Sequence, residues 1–333
     1  MSASLGRLGQ IRGTGATDAI FLKIGQSDIL NAFQRKTVFK GLVRSRTIQH
    51  GKSFDFQVTG RSTAGYVTPG TPLLGGLNSP SDLNVRNVPI DGLLAADQAI
   101  FDLDQLMNYA DVASELWDQL GQALAWETDA RLARIIFAGA NNTSEPLSTG
   151  KNVGRIGYKK TLSAGYASAS KTAKGDELVS AIGDAVVAMR KKHVDTSQLV
   201  AVFPPDEYDF LNESSRAING DFNQGIVNGT TANGMVLKIK GVPVTWSNQV
   251  TQAAYTNVTG DNNSDYAQDL SKCRGLLFTR EAVALLQLRA PKLQITASGG
   301  DFNIQYQSTL AVATQSIGCG RLRDECAAAI VIP

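Results

Sequence analysis

Residues 51–70 read GKSFDFQVTGRSTAGYVTPG. From Lys52 to Thr59 apolar and polar side chains alternate with period two, the pattern of a half-buried strand. Gly65, Pro69, Gly70, Pro72, Gly75, Gly76 and Pro80 then break the chain before it returns through Leu83, Val85, Val88 and Ile90. The spacing predicts a long two-stranded excursion with a loose tip. A loop of this length without its own core is uncommon in a compact domain and is usually functional. No helix accompanies its strands, so their apolar face is expected to lie on another copy of the chain.

Downstream, helical pattern takes over at about Asp102. Asp102, Asp104 and Asp111 sit where helix starts favour negative charge. Val112, Leu116, Leu120 and Leu124 follow at i+4 spacing, with Trp117, Leu132, Ile135 and Ile136 extending the apolar face. This predicts a short helix broken near Tyr109 and a long one from after Asp111 to Gly139. The long one is a spine. Residues 139–175, rich in Gly, Ser, Thr and Lys, read as a mobile connection. A helix is expected from Asp176 to Lys192, with Leu178, Ile182, Ala185, Val186 and Met189 on one face. A strand over 199–203, a helix from Asp206, and a hairpin through Lys240 and Gly241 complete a small α/β domain. Two strand-like stretches, 283–297 and 302–317, close the pattern.

Upstream, the first 50 residues read as an arm, with an amphipathic stretch from Ala19 to Thr37. The charges along the chain are segregated. Residues 1–61 hold ten Lys and Arg against three acids, whereas 87–130 hold nine acids and no Lys or Arg. Residues 151–192 swing back, with nine basic and three acidic. Such blocks suggest surfaces meant to meet, within the subunit or between copies.

Chemistry is searched for without success. The two histidines, His50 and His193, read as surface or helix-end imidazoles. Cys273, Cys319 and Cys326 have no zinc spacing and cannot form a disulfide framework. Gly13 and Gly15 imitate half a dinucleotide fingerprint, but no strand precedes them and the third glycine is missing. No catalytic residue, cofactor site or metal site is expected. No apolar run spans a bilayer, and no signal peptide is visible, which points to a soluble protein kept in a cytoplasm. Sparse aromatics in the basic arm fit weak nucleic-acid backbone contact better than base stacking.

Three runs carry a resemblance. They are AIFLKIGQSDILNAFQRKTV (19–38), the 51–70 stretch, and IDGLLAADQAIFDLDQLMNYADVASELWDQLGQALAWETDARL (90–132). In this order they resemble the major capsid proteins of short-tailed phages of the T-seven kind. The resemblance covers roughly the first 135 residues well. It is thinner through Phe203 to Tyr208, Gly241 to Val244 and Gly275 to Phe278, and absent over 140–175 and 250–272.

The resemblance implies an α+β chain of the Hong Kong 97-type capsid fold. It implies an N-terminal arm (1–49), an extended loop (50–89), a peripheral domain with the spine helix (90–175 and 284–319) and an axial domain (176–283 and 320–333). The implied function is an icosahedral shell of hexamers and pentamers around the phage genome, assembled in the host cytoplasm. The implied partners are other copies of the chain, a scaffolding protein, a portal and packaged double-stranded DNA, with no membrane. Subunit contacts are expected at Arg35, Lys36, Arg44, Arg46, Arg61, Tyr66, Pro69 and Gly70. The alternative from another class is an encapsulin-like cargo shell of the same fold.

Overall fold

A computed structural model describes residues 37–59, 65–71, 83–107, 113–143, 156–214, 238–296 and 301–333. In chain order its first half holds β1 (Arg44–Thr47), β2 (Ser53–Thr59), β3 (Leu83–Pro89), β4 (Leu94–Phe101), α1 (Asp102–Met107) and α2 (Ala113–Asn141). There follow β5 (Tyr158–Thr161), α3 (Lys171–Lys191), β6 (Val200–Phe203), α4 (Pro205–Asn212), β7 (Lys238–Ile239) and β8 (Val242–Trp246). The chain ends with β9 (Cys273–Phe278), β10 (Val283–Ile295), α5 (Asp301–Tyr306), β11 (Ser308–Arg321) and β12 (Ala327–Val331). Contacts divide it into two units.

The smaller unit contains Gly92–Thr128 and Leu288–Ile317. Here β10 lies beside β11, and β11 pairs antiparallel with β4 from Ser308↔Phe101 to Gln315↔Leu94. The first part of α2 covers this sheet: Leu120 and Leu124 are buried with Ala311 and Ala313, against Leu94 and Ala96. Gln315 anchors the same face through polar contacts. Its Nε2 donates to the Leu124 carbonyl at 3.1 Å and to Thr128 Oγ1 at 2.7 Å. The whole of α2 has 29 residues, about 43 Å at ~1.5 Å each, as the i+4 leucine spacing predicts. The side chains of Leu116 and Trp117 lie outside the described residues.

The larger unit contains Val38–Asp91, Asp129–Gln287 and Gly318–Pro333. Its main sheet has the order β5-β12-β9-β6-β8-β7, covered by α3. Leu178, Ile182, Ala185 and Met189 pack over Ala201, Phe203, Leu277 and Ile330. The helix begins five residues before Asp176, because Ser170 caps it by accepting from the Ala173 N–H. Its end is closed by His193, at φ 58. The N–H of His193 donates to the Arg190 carbonyl and that of Val194 to Met189, the two bonds of a Schellman cap. The backbone geometry, not the imidazole chemistry, explains His193. Lys240 and Gly241, both at positive φ, make the two-residue turn between β7 and β8.

Two expectations are corrected. The 139–175 connection contains β5, which pairs parallel with β12 as an edge strand. Its Lys159 and Lys160 disguise the strand as a polar linker. Residues 301–306 form helix α5 rather than the start of a strand. The alternation of Phe302, Ile304 and Tyr306 suggested period two, but the local backbone is helical.

Candidate assembly surface

In the larger unit β2 and β3 form a two-stranded antiparallel ribbon, with Phe54 opposite Val88 and Phe56 opposite Arg86. The predicted excursion is therefore present at its base, and residues 60–64 and 72–82 lie outside the described residues. The register puts Phe54, Phe56, Val58 and Val88 on one face, of which Phe56, Val58 and Val88 are buried within the chain. The Arg46 guanidinium lies 3.9 Å from the Phe54 ring centroid, and that of Arg44 5.6 Å from Phe56. Val88 packs on Gly320, where a Cβ would come within 2.6 Å of Val88 Cγ2. These contacts correct the expectation that another copy must cover this face. Planar cations stacked on rings and a bare glycine backbone do the covering, and a hydropathy pattern registers neither.

Val85 is exposed, and Tyr66 is fully exposed at 108%. Thr68 to Thr71 make a tight turn in which the Thr71 N–H and Oγ1 both donate to the Thr68 carbonyl, at 3.1 and 2.6 Å. Gly70 takes φ +92, the conformation a type II turn requires after Pro69. The turn is a shaped presentation of a bare aromatic. Arg44 and Arg46 lie on β1, parallel to Ala284–Gln287 of β10. Arg35, Lys36 and Arg61 lie outside the described residues, as does the 19–36 amphipathic stretch.

The chain leading into β1 is fixed at Asp129. Its Oδ2 accepts from the Val38 N–H at 2.7 Å, and the N–H groups of Phe39 and Lys40 add to it. Burial pushes this carboxyl up to about 6 against the pull of those donors. Phe39, fully buried, stacks on Phe278 with centroids 5.8 Å apart. Asp129 belongs to the acidic block, so arm and block meet here within one chain, through backbone donors.

A buried polar knot supports the ribbon's return. Arg131 Nη1 lies 3.2 Å from Asp91 Oδ2 and 2.9 Å from Asp261 Oδ1. Tyr266 donates to Asp91, the Asn262 N–H donates to Asp91 Oδ1 at 3.1 Å, and Tyr255 donates to Asp261 Oδ2 at 2.7 Å. Burial raises the Asp91 carboxyl, against the hydrogen bonds from Tyr266 and Asn262 and the charge of Arg131. Arg86 reaches Asp324 at 3.7 Å. Sequence reading missed this knot, although one signal was present. Arg131 is the first cation after the nine-acid block, and it serves Asp91 inside the block and Asp261 far outside it.

The three cysteines are all buried. Burial pushes the Cys273 and Cys319 thiols up to about 12 and Cys326 to about 11, which keeps them protonated and poorly nucleophilic. Among the described residues no group of three His, Cys, Asp or Glu side chains could hold a metal ion, and no helix is long and apolar enough to cross a membrane.

A family model described as Gp10A-like, major capsid protein, matches residues 55–331. The chain belongs to the Gp10A-like major capsid protein family. It is 28% identical over 330 residues to the major capsid protein of Escherichia phage T7, spanning 94% of this chain and 92% of that one. It is 28% identical over 351 residues to the major capsid protein of Enterobacteria phage T3, spanning 97% and 95%. The capsid structure of cyanophage P-SCSP1u superposes with a TM-score of 0.79 at 29% identity, covering 100% of this chain and 99% of that one. The mature capsid of bacteriophage PhiM1 shares the fold at 18% identity, with a TM-score of 0.72 over 99% and 97% of the two chains. This is an α+β capsid chain of the Hong Kong 97 type, a phage major capsid protein that forms the virion shell. The phage reading stands over the cargo-shell alternative.

Proposed function

We propose that the chain builds an icosahedral shell through hexamers and pentamers, with residues 1–49 and 50–89 reaching neighbouring copies. In this reading 90–175 and 284–319 form a peripheral domain, and 176–283 with 320–333 an axial domain. A scaffolding protein and a portal guide assembly in the host cytoplasm, and the shell contacts packaged double-stranded DNA without sequence preference. The role is structural, without a catalytic step. Arg35, Lys36, Arg44, Arg46, Arg61, Tyr66, Pro69 and Gly70 contribute to the contacts between subunits.

One observation supports this reading above the others. The ribbon's base is buried within its own chain, while Tyr66, beside the tight Thr68–Thr71 turn, is fully exposed. A fully exposed aromatic on a shaped turn favours a partner surface. The test is deletion of residues 62–84 with a short connection between the strands. The expected product is soluble and folded by circular dichroism but makes no particles under conditions where the full chain does. Normal particles from the deletion would overturn the role of the loop.

A further inference from the structure

The root of the arm is held by one carboxyl group. Val38 to Val43 and Asp129 belong to the same unit. Asp129 is buried on α2, where its Oδ2 accepts from the Val38 N–H at 2.7 Å and the Phe39 and Lys40 N–H groups add to it. Three successive backbone donors around one carboxyl make a nest. The Leu42 N–H donates to the Phe39 carbonyl at 2.9 Å, so the chain turns within the same few residues, with Phe39 and Val43 buried. The second carboxyl oxygen is placed differently. Asp129 Oδ1 is buried and has no hydrogen-bond partner. An ionised carboxylate would leave that oxygen charged in a dry place. A neutral acid can carry its proton on Oδ1 and keep Oδ2 for the donors.

We propose that the Asp129 nest is a proton-operated clamp: the neutral acid holds residues 38–40 on α2, and ionisation lets this root open to water without the rest of the unit unfolding. The clamp is a property of the single chain and does not depend on the shell-forming role. The groups around Asp129 leave control to its own proton. Lys40, on the root, favours the anion, but burial of the carboxyl outweighs it. Cys319, on β11, is buried, and its thiol, pushed up to about 12, stays neutral. On α2 itself, the Arg131 guanidinium is engaged by Asp91 and Asp261, and that of Arg134 lies 4.1 Å from the Tyr255 ring centroid. Asp129 therefore holds its proton up to about pH 6, against an ordinary 3.8. The closed root binds the proton more tightly than the open one. Closure is strongest below 3.8 and weakens as pH rises through about 6.

The test is amide hydrogen exchange of the full chain from about pH 4 to 8, corrected for the intrinsic rate. Peptides covering the root, Val38 to Val43, are compared with peptides covering the buried part of α3, Leu178 to Val186. The expected root is less protected than α3 at every pH. Its protection falls about a hundredfold between roughly pH 4 and 6 and is level above that. Asp129→Asn keeps an accepting oxygen and cannot ionise, so its profile should be flat. Root protection equal to that of α3 would overturn the proposal, because the root would then open only with the whole unit. A fall of less than about threefold, or the same fall in Asp129→Asn, would overturn it too. If Asp129→Asn does not fold, the wild-type profile decides alone. A fall confined between 3.8 and about 6 supports the clamp, and a fall elsewhere contradicts it.

Discussion

The hydroxyl of Tyr266 donates a 2.6 Å hydrogen bond to Asp91 Oδ2, across 175 residues of sequence. The same oxygen accepts from the Cys319 N–H at 3.0 Å, so one hydroxyl serves two buried partners. Tyr266→Phe removes a donor from a buried carboxylate and an acceptor from a buried amide. The expected cost is about 2–3 kcal/mol, read as a lower urea midpoint with an unchanged slope. A loss under about 0.5 kcal/mol would show that the knot carries little of the stability.

Leu120 is 7% exposed where α2 meets the sheet of the smaller unit. Leu120→Asp puts a carboxylate among Leu124, Ala311 and Ala313 and should cost several kcal/mol, comparable with the whole stability of a domain. Insoluble protein is the expected outcome on expression. A well-folded variant that still assembles would mean this face is not core.

The Asp129 carboxyl titrates at about 6 in the folded chain, above its ordinary 3.8. The folded state therefore holds the proton more tightly than the unfolded state. Its contribution is fully present below the ordinary value and is lost as pH rises through about 6, on the order of 3 kcal/mol in all. Asp129→Asn keeps an oxygen for the Val38, Phe39 and Lys40 donors and cannot ionise. Urea unfolding of both proteins from about pH 4 to 7 should show the variant gaining on the wild type as pH rises. Parallel curves would contradict the shift.

Arg44 and Arg46 cover phenylalanine rings as well as carrying charge. Replacing both with Lys keeps the charge and removes the planar stack, with an expected cost of about 1 kcal/mol and particles still formed. Neutralising Arg35, Lys36, Lys40, Arg44 and Arg46 to Gln should instead prevent assembly. Empty wild-type particles should loosen as salt shortens the Debye length from ~10 Å to ~3 Å. Ordinary assembly by the five-fold variant would reduce the basic arm to a solvated face.

The sequence was legible where one periodicity ruled. Leucines four apart marked α2, and strict alternation marked β2. It was misleading where cover came from outside the apolar alphabet. The ribbon looked uncovered because Arg44, Arg46 and Gly320 are not apolar residues, yet they cover Phe56, Phe54 and Val88 respectively. Helix α5 read as a strand because Phe302, Ile304 and Tyr306 fall at every second position of the sequence, as they would in a half-buried strand. The Asp91–Arg131–Asp261 knot escaped because its members lie far apart in the chain and follow no period.

The most direct test is an electron cryo-microscopy reconstruction of particles formed by the full chain with a scaffolding protein. The account predicts closed icosahedral particles in which the 65–71 tip of each copy, led by Tyr66, rests on a different copy. Particles whose tips touch only their own chain, or a protein that stays monomeric under those conditions, would contradict it.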